Sequence, residues 1–293
     1  ATHIRMMHKA LEQMNIKIQH VIADITGKSG QEIIKSIIAG ERNAEILASC
    51  CDSRIRAHKK EGIIKSLTGV WKEEHVFELE QSYSIYQFYH AKLKECDAKI
   101  EEHLREKSGV DTFVEPQKKE KSNKNNLNFN GKEMLYELTG TDLAEIFGIT
   151  ETNAIEIISE VGLDMSKWPT VKHFTSWLNL APNNKISGGK VLSSRIPKKK
   201  NHAGQIFRMA AFAIQRSKNW LAMFYNRIKA KNGAPKAIVA TARKIAAIFY
   251  KMIKERVKFN PIPIEKYMDG FKENQIKKLK RQAKNLGLQI VEM

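Results

Sequence analysis

Acidic side chains are missing from residues 165 to 254 of this 293-residue chain. That stretch contains no Asp or Glu, yet it carries 19 of the 50 Lys and Arg residues, which leaves 31 basic and 32 acidic residues elsewhere. The formal net charge of +18 therefore comes from this acid-free stretch. A segment of one sign repels itself unless a polyanion compensates it, so the stretch predicts a nucleic-acid surface. It also excludes a metal site or a general base built from carboxylates of the stretch itself.

Cysteines and long apolar runs are also scarce. The three cysteines, Cys50, Cys51 and Cys96, are odd in number and form no CxxC pair, which argues against zinc and a disulfide framework and predicts a cytoplasmic protein. No apolar run reaches the roughly 18 residues that span a membrane, so we expect no membrane partner. A hydrophobic fraction of 42% with 28% charged residues is typical of a soluble globular protein.

Catalytic histidine arrangements are absent from the basic half. His173 and His202 have no acidic neighbour in sequence that could orient either ring, which disfavours a Ser-His-Asp hydrolase. Asp24 resembles a catalytic acid, but an Asp before Thr26-Gly27 is more often an Asx-type cap.

Apolar spacing in the first hundred residues predicts helices. Two runs have the alternating three- and four-residue steps of a coiled coil: Ile4, Met7, Leu11, Met14, Ile18 and Val21, then Leu79, Tyr83, Tyr86, His90, Leu93, Asp97, Ile100 and Leu104. These residues form either the core of a helical bundle or an intermolecular coiled coil. Between the runs, Ser29 has capping-box spacing to Glu32 and predicts a helix that ends near Gly40.

Composition divides the chain into four parts. We expect a helical or coiled-coil arm at 1–108, a polar linker at 109–131, a helical domain at 132–260 and a basic tail at 261–293. Pro169 predicts a helix start, and further helices are expected near 203–217, 219–231 and 235–255. Gly148 lies in a segment that resembles a helix-hairpin-helix, whose turn directs N–H groups at a phosphate, although a plain helical turn fits equally well. The fold class is therefore mainly α.

One loop in the acid-free stretch combines residue types that bind phosphate. Ser187, Gly188, Gly189 and Lys190 supply a hydroxyl, two permissive glycines and a cation. The spacing is not that of a Walker loop, and an ordinary turn is the alternative. The sequence around 182–197 predicts irregular structure or a small hairpin.

Further candidate phosphate-binding residues follow this loop, with aromatic residues interleaved. The cations are Arg195, Lys198, Lys199, Lys200, Arg208, Arg227, Arg243 and Lys244. The aromatics are Trp177, Trp220, Tyr225 and Tyr250, and at helical spacing such residues belong more often to a core than to a base-stacking surface.

An ordered set of short motifs resembles transposases of the insertion sequence 110 family across essentially the whole chain. The motifs are Met14-Asn15, Asp24-Ile25-Thr26-Gly27, Gly40-Glu41-Arg42, Leu67-Thr68-Gly69-Val70-Trp71, Ser176-Trp177-Leu178-Asn179-Leu180-Ala181-Pro182, Ser187-Gly188-Gly189-Lys190, Arg208-Met209-Ala210-Ala211 and Ala240-Thr241-Ala242-Arg243-Lys244-Ile245-Ala246.

The resemblance implies a bacterial DNA recombinase with two catalytic parts. A RuvC-like domain carries four acids that bind Mg²⁺, and a helical transposase domain carries a serine that forms a phosphoserine link to DNA. The family serine corresponds to Ser187, with Lys190 and Arg195 as candidates to stabilise charge. DNA, a structured guide RNA and a homo-oligomer, either dimer or tetramer, are the implied partners.

The acids of the RuvC-like domain have no counterpart in the sequence. The chain begins in a helical pattern without an initiator Met, so we expect that domain upstream, with no metal ligand assigned to any residue of this chain. The isolated fragment is then expected to be inactive, lending Ser187 to an intact partner. The alternative is a non-catalytic nucleic-acid-binding remnant that dimerises through its helical arm.

Overall fold

The computed structural model describes residues 1–108, 127–196 and 201–288, so most of the expected linker lies outside the described residues. Within those ranges the chain forms twelve α-helices, four 3-10 turns and a two-stranded sheet, which confirms a mainly α fold. The backbone divides into two compact units, Ala1–Ala98 and Lys99–Met293. Across the described ranges, no helix combines the length and the apolar character that a membrane span requires.

The helices of the first half are α1 (Thr2–Gln13), α2 (Lys28–Ile38), α3 (Ala44–Ser49), α4 (Ser53–Leu67) and α5 (Glu73–Ser108). Those of the second half are α6 (Gly131–Thr139), α7 (Glu151–Val161), α8 (Val171–Trp177), α9 (His202–Ala213), α10 (Trp220–Asn232), α11 (Ala234–Glu255) and α12 (Ile264–Asn285). Between α8 and α9 lie the strands β1 (Lys185–Ser187) and β2 (Lys190–Ser193).

The first unit has an apolar core of its own, built from α1 to α5. Its buried residues include Met7, Leu11, Met14, Ile18, Ile33, Ile34, Ile37, Leu67, Leu79 and Tyr83. Four of these belong to the first run of coiled-coil spacing. That run therefore packs inside the unit, as the bundle-core alternative requires.

The first run of coiled-coil spacing does not lie on one continuous helix. Helix α1 ends at Gln13, and Asn15 adopts the left-handed conformation with φ of 56°. The Lys17 N–H then donates to the Ser66 carbonyl oxygen at 2.9 Å, so the chain turns toward α4. Ile18 lies in a separate 3-10 turn, Ile18–His20. The apolar spacing continues across the break because α1 and the 3-10 turn pack against the same core.

The start of α2 also differs from the prediction. Gly27 occupies the N-cap position, while the Ser29 hydroxyl instead accepts a hydrogen bond from the Asp52 N–H at 2.9 Å. The expected Asx-type cap is confirmed, since the Thr26 N–H and Oγ1 donate to Asp24 Oδ1 at 2.8 and 2.7 Å. Tertiary contact with Asp52 thus outweighs the local capping box.

The second run of coiled-coil spacing lies on the single 36-residue helix α5. Leu79 and Tyr83 near its start are buried. Further along the helix, Leu93 is 62% exposed. An intermolecular coiled coil along this part of α5 stays a prediction.

The second unit packs its helices around a larger apolar core. Its centre includes Ile157, Phe174, Phe207, Ala211, Leu221, Ile245 and Phe249, drawn from α7 to α11. The rings of Phe174, Phe207 and Phe249 meet edge to face, with centroids 6.5 and 5.4 Å apart along the series, a favoured aromatic geometry. The core holds α8, which precedes the β1–β2 segment in sequence, against α9 and α11, which follow it.

Helices α9, α10 and α11 confirm the sequence-based predictions to within a few residues. The side chain of Asn201 caps α9 and that of Asn219 caps α10, while Pro235 lies in the first turn of α11. The helix start predicted at Pro169 is too early, because α8 begins at Val171 with Thr170 at its N-cap. The expected basic tail is helical over α12, and helix α6 was not foreseen.

Candidate nucleic-acid interface

The loop that contains Ser187 is a β-hairpin with a two-residue turn. Strands β1 and β2 pair antiparallel, with Ile186 opposite Val191 and Ser187 opposite Lys190. The turn residues, Gly188 and Gly189, have φ of 54° and 73°, the left-handed values that a tight primed turn requires and glycine adopts without strain. Of the two structures that the sequence predicts for this segment, irregular structure or a small hairpin, the hairpin is confirmed.

The pairing places a hydroxyl beside a cation at the tip of this hairpin. Directly opposed residues of antiparallel strands project to the same face, so Ser187 and Lys190 are neighbours across the turn. Both side chains are exposed. Their neighbours in the two strands include three exposed apolar residues, Ile186, Val191 and Leu192. The tip of the hairpin therefore presents a hydroxyl group, a positive charge and exposed apolar surface.

Hydrogen bonds fix both ends of the hairpin segment to the helices. The Asn183 N–H donates to the Arg195 carbonyl oxygen at 3.1 Å, closing the base of the hairpin. On the preceding side, Arg208 Nη2 of α9 donates to the Asn179 carbonyl oxygen at 2.7 Å. On the following side, Asn201 Nδ2 donates to the Trp177 carbonyl oxygen at 3.3 Å. An exposed tip thus has an anchored base.

Arg208 consequently has a structural role beside its predicted phosphate contact. Its side chain is half-buried, and burial lowers the pKa of the guanidinium from its usual value. One nitrogen is committed to the Asn179 carbonyl. Phosphate binding by Arg208 stays a prediction.

Two of the predicted cations, Arg227 of α10 and Lys244 of α11, lie among aromatic rings. The Arg227 guanidinium carbon is 5.4 Å from the Phe224 centroid, 5.6 Å from that of Tyr267 and 4.6 Å from that of Phe271. Lys244 Nζ is 4.8 Å from the Phe224 centroid and 5.7 Å from that of Trp220. We call these six residues the cation–aromatic cluster. Burial, and then the charge of Arg227, lower the pKa of Lys244.

Two of the remaining predicted cations lie among the described residues of the second unit. Arg195 is exposed at the hairpin base and Arg243 is half-buried on α11. Lys198, Lys199 and Lys200 lie outside the described residues. Phosphate binding by all of these stays a prediction.

Gly148 packs closely against α9. It has φ of 86°, and a Cβ at this position would lie 2.6 Å from the Ala210 carbonyl oxygen. The segment before it is a 3-10 turn, Leu143–Glu145, where the sequence predicted the first helix of a hairpin pair. Helix packing therefore explains this glycine, and phosphate binding at its turn stays a prediction.

The predicted core role holds for most of the interleaved aromatics. Trp220, Tyr225 and Tyr250 are buried, and the Tyr250 hydroxyl donates to the Trp168 carbonyl oxygen at 2.7 Å. Trp177 is 41% exposed. The cation partners Phe224, Tyr267 and Phe271 were not predicted from the sequence, although the four-residue spacings from 220 to 224 and from 267 to 271 place each pair on one helix face.

Carboxylates and histidines do not assemble into a metal site in the parts that the structure describes. No group of three His, Cys, Asp or Glu side chains there has metal-binding geometry. His173 Nδ1 is instead 2.9 Å from the Thr170 hydroxyl. The described residues therefore do not fit the Mg²⁺ site that the family resemblance implies.

The second unit is a mainly α-helical domain that displays a serine hairpin within an acid-free basic stretch. Residues 140–226 match the family model described as Transposase IS116/IS110/IS902 family, a range that includes the Gly148 turn, the hairpin and Arg208. No curated protein and no solved structure matches the chain. The match confirms, over this range, the resemblance to transposases of the insertion sequence 110 family. It implies a role in DNA transposition, with DNA as partner.

Proposed function

We propose that the second unit cuts and rejoins DNA through Ser187 as a nucleophile. The observation that carries this proposal is the family match across the hairpin, together with the exposed position of Ser187 at the hairpin tip. Ser187 lies in a stretch without Asp or Glu, so no carboxylate of that stretch repels the DNA backbone.

The reaction is a transfer of one phosphodiester linkage. Ser187 Oγ attacks a DNA phosphorus and gives up its hydroxyl proton as the phosphoserine bond forms, the bond to one deoxyribose oxygen breaks, and that oxygen takes up a proton, so that no net proton is consumed. A deoxyribose hydroxyl of another strand then attacks the phosphoserine, which releases Ser187 and seals the new strand. Lys190 stabilises the charge that develops on the phosphoryl oxygens, with Arg195 at the hairpin base as a second candidate.

Metal-binding acids are supplied in this proposal by a RuvC-like domain outside the residues described. Mg²⁺ held there would neutralise phosphate charge. The described residues offer no such site, so their part is to bind the backbone and to present the serine.

The decisive experiment detects a covalent protein–DNA adduct. The chain is mixed with an intact family transposase whose own serine has been changed to alanine, and with a duplex that carries the end of the element. We expect an adduct on this chain that survives denaturing electrophoresis, and its loss in Ser187→Ala. Ser194→Ala is the matched control, since Ser194 is also exposed and follows β2. An adduct that persists in Ser187→Ala would overturn the proposal.

A non-catalytic nucleic-acid-binding protein is the alternative function. The acid-free stretch favours it, because phosphate binding by cations needs no nucleophile. It predicts salt-sensitive DNA binding without an adduct under any complementation. A guide RNA as a second polyanionic partner would bind by the same charges.

A homo-oligomer through the helical arm is the remaining part of the proposal. Exposed apolar side chains on α5 support it, among them Phe77, Ile85, Phe88 and Leu93. Sedimentation of the full chain with and without Leu93→Glu tests it. We expect a shift to monomer in the variant, and an unchanged mass would contradict association through this face.

A further inference from the structure

The cation–aromatic cluster combines two positive charges with buried donors that lack acceptors. Trp220 is 6% exposed, and its Nε1 has no hydrogen-bond partner among the described residues. The hydroxyl of Tyr267, whose ring lies 5.8 Å from that of Trp220, is equally without a partner there. Buried polar groups in folded proteins are nearly always hydrogen-bonded. Two exceptions in one cluster therefore need an explanation.

The charges of the cluster are not balanced by carboxylates. Helix α12 carries Glu265, Asp269 and Glu273, yet within the described ranges no carboxylate forms an ion pair with Arg227 or Lys244, and no carboxylate contributes to the pKa shift of Lys244. Aromatic faces attract the two cations, but they do not neutralise them. Both cations lie over the Phe224 ring, and burial and the charge of Arg227 both disfavour the charged form of Lys244.

An acceptor with negative charge would satisfy both the unpartnered donors and the two cations of the cluster. An indole N–H can only donate, a phenol O–H donates to a stronger acceptor, and guanidinium and ammonium groups have no lone pair to offer either of them. A neutral ligand would leave the charge uncompensated. A phosphate group satisfies both needs, since its oxygens accept several hydrogen bonds and arginine matches their geometry.

We propose that the cation–aromatic cluster is a phosphate-binding site, in which Arg227 and Lys244 bind the charge while Trp220 Nε1 and the Tyr267 hydroxyl donate hydrogen bonds. The site joins α10, α11 and α12, so an occupied cluster also fixes α12 to the domain. The ligand is a phosphate group of a nucleic-acid backbone or a free phosphate. This inference deepens the proposed DNA-binding function and rests on it for the first of these sources.

Conservative variants separate phosphate binding from packing. Tyr267→Phe removes only the hydroxyl and keeps the ring over Arg227. Lys244→Gln removes one charge and keeps a polar side chain. Lys236→Gln is the matched control, because Lys236 is exposed on the same helix, α11. Circular dichroism of each variant shows whether it is folded.

The first arm measures the melting temperature in potassium phosphate against potassium chloride at equal ionic strength. We expect phosphate to raise the Tm of the wild-type chain and of Lys236→Gln by about 3 °C more than that of Lys244→Gln or Tyr267→Phe. The general stabilising effect of phosphate acts equally on all four proteins and cancels.

The second arm measures affinity for a random-sequence DNA duplex at one salt concentration. We expect Lys244→Gln to weaken binding about tenfold more than Lys236→Gln does, since a built site contributes more than a surface charge. A response in this arm alone identifies backbone phosphate, and a response in the first arm alone identifies free phosphate. Either supports the site.

The inference is overturned if Tyr267→Phe and Lys244→Gln match Lys236→Gln in both arms. That result would leave the cluster as a packing contact between helices. It would not affect the Ser187 proposal, because the adduct assay reports on the hairpin. Conversely, the absence of an adduct would not alter a Tm shift caused by phosphate.

Discussion

The hairpin and the helical core of the second unit differ in how strongly packing constrains their side chains. In the hairpin, Ser187, Gly188 and Gly189 are exposed, and a Cβ on either glycine would meet nothing within 4 Å. In the core, Phe174, Phe207 and Phe249 are fully buried in direct ring contact. Packing therefore determines the residues of the core, whereas only the turn conformation constrains the hairpin. A side chain that packing leaves free is available for chemistry.

The two regions meet at the hairpin base. Arg208 and Asn201 belong to or cap α9, a core helix, and both donate to carbonyls of the segment that leads out of α8. Rigid elements position a reactive group better than a free loop does. Variants can thus be ranked by how far they lie from the core toward the tip.

The largest loss of stability is expected in the core. Phe249→Ala leaves a cavity next to Phe207 and should lower the free energy of unfolding by about 3–5 kcal/mol. Phe212→Ala is the matched control, because Phe212 is 57% exposed on α9. Surface substitutions usually change the free energy of unfolding by less than about 0.5 kcal/mol. Urea denaturation measures both. Equal losses would contradict the location of the core.

A smaller loss is expected where a turn packs on the core. Gly148→Ala combines a left-handed backbone with a Cβ that would lie 2.6 Å from the Ala210 carbonyl oxygen, so it should cost about 2–4 kcal/mol. Gly189→Ala has the same kind of backbone in open space and should cost about 1 kcal/mol. Urea denaturation of the pair isolates the packing contribution. If Gly189→Ala cost more, the close contact at Gly148 would be in doubt.

A local effect is expected at the hairpin base. Arg208→Met keeps the aliphatic stem but removes the bond to the Asn179 carbonyl, which is worth about 1.5 kcal/mol as a charged hydrogen bond. Amide exchange of Asn183, whose N–H closes the hairpin, should become about tenfold faster. Lys218→Met, at an exposed position, should leave exchange unchanged. Unchanged exchange in Arg208→Met would show that the base is held by other contacts.

The smallest effect on stability is expected at the tip. Ser187→Ala removes an exposed hydroxyl, so the free energy of unfolding should change by less than about 0.5 kcal/mol, while the adduct with DNA disappears. Thermal unfolding measured beside the adduct assay checks this. A large loss of stability would mean that Ser187 supports the fold, which would weaken the contrast between tip and core.

Local signals predicted the second unit better than the first. Asn201, Asn219 and Pro235 mark helix starts by capping and fixed φ, which are properties of the local sequence. Gly188-Gly189 likewise predicts its own turn. In the first unit, local hydrogen bonds from the Asn15 and Ile16 N–H groups to the Glu12 and Leu11 carbonyl oxygens end α1, and the Lys17 N–H then donates to the Ser66 carbonyl oxygen, 49 positions away, which directs the chain toward α4. Apolar spacing alone carries no information about such a bond.

The sequence by itself determined the mainly α-helical class, the positive charge of the acid-free stretch, the hairpin turn and the family to which residues 140–226 are similar. These depend on composition and on contacts between near neighbours. Only the tertiary structure decided that Arg208 anchors the hairpin and that Arg227 and Lys244 share a cluster with Trp220 and Tyr267. Those roles depend on which helices meet, and a cation has the same local sequence signal whether it faces solvent, a carbonyl or an aromatic ring.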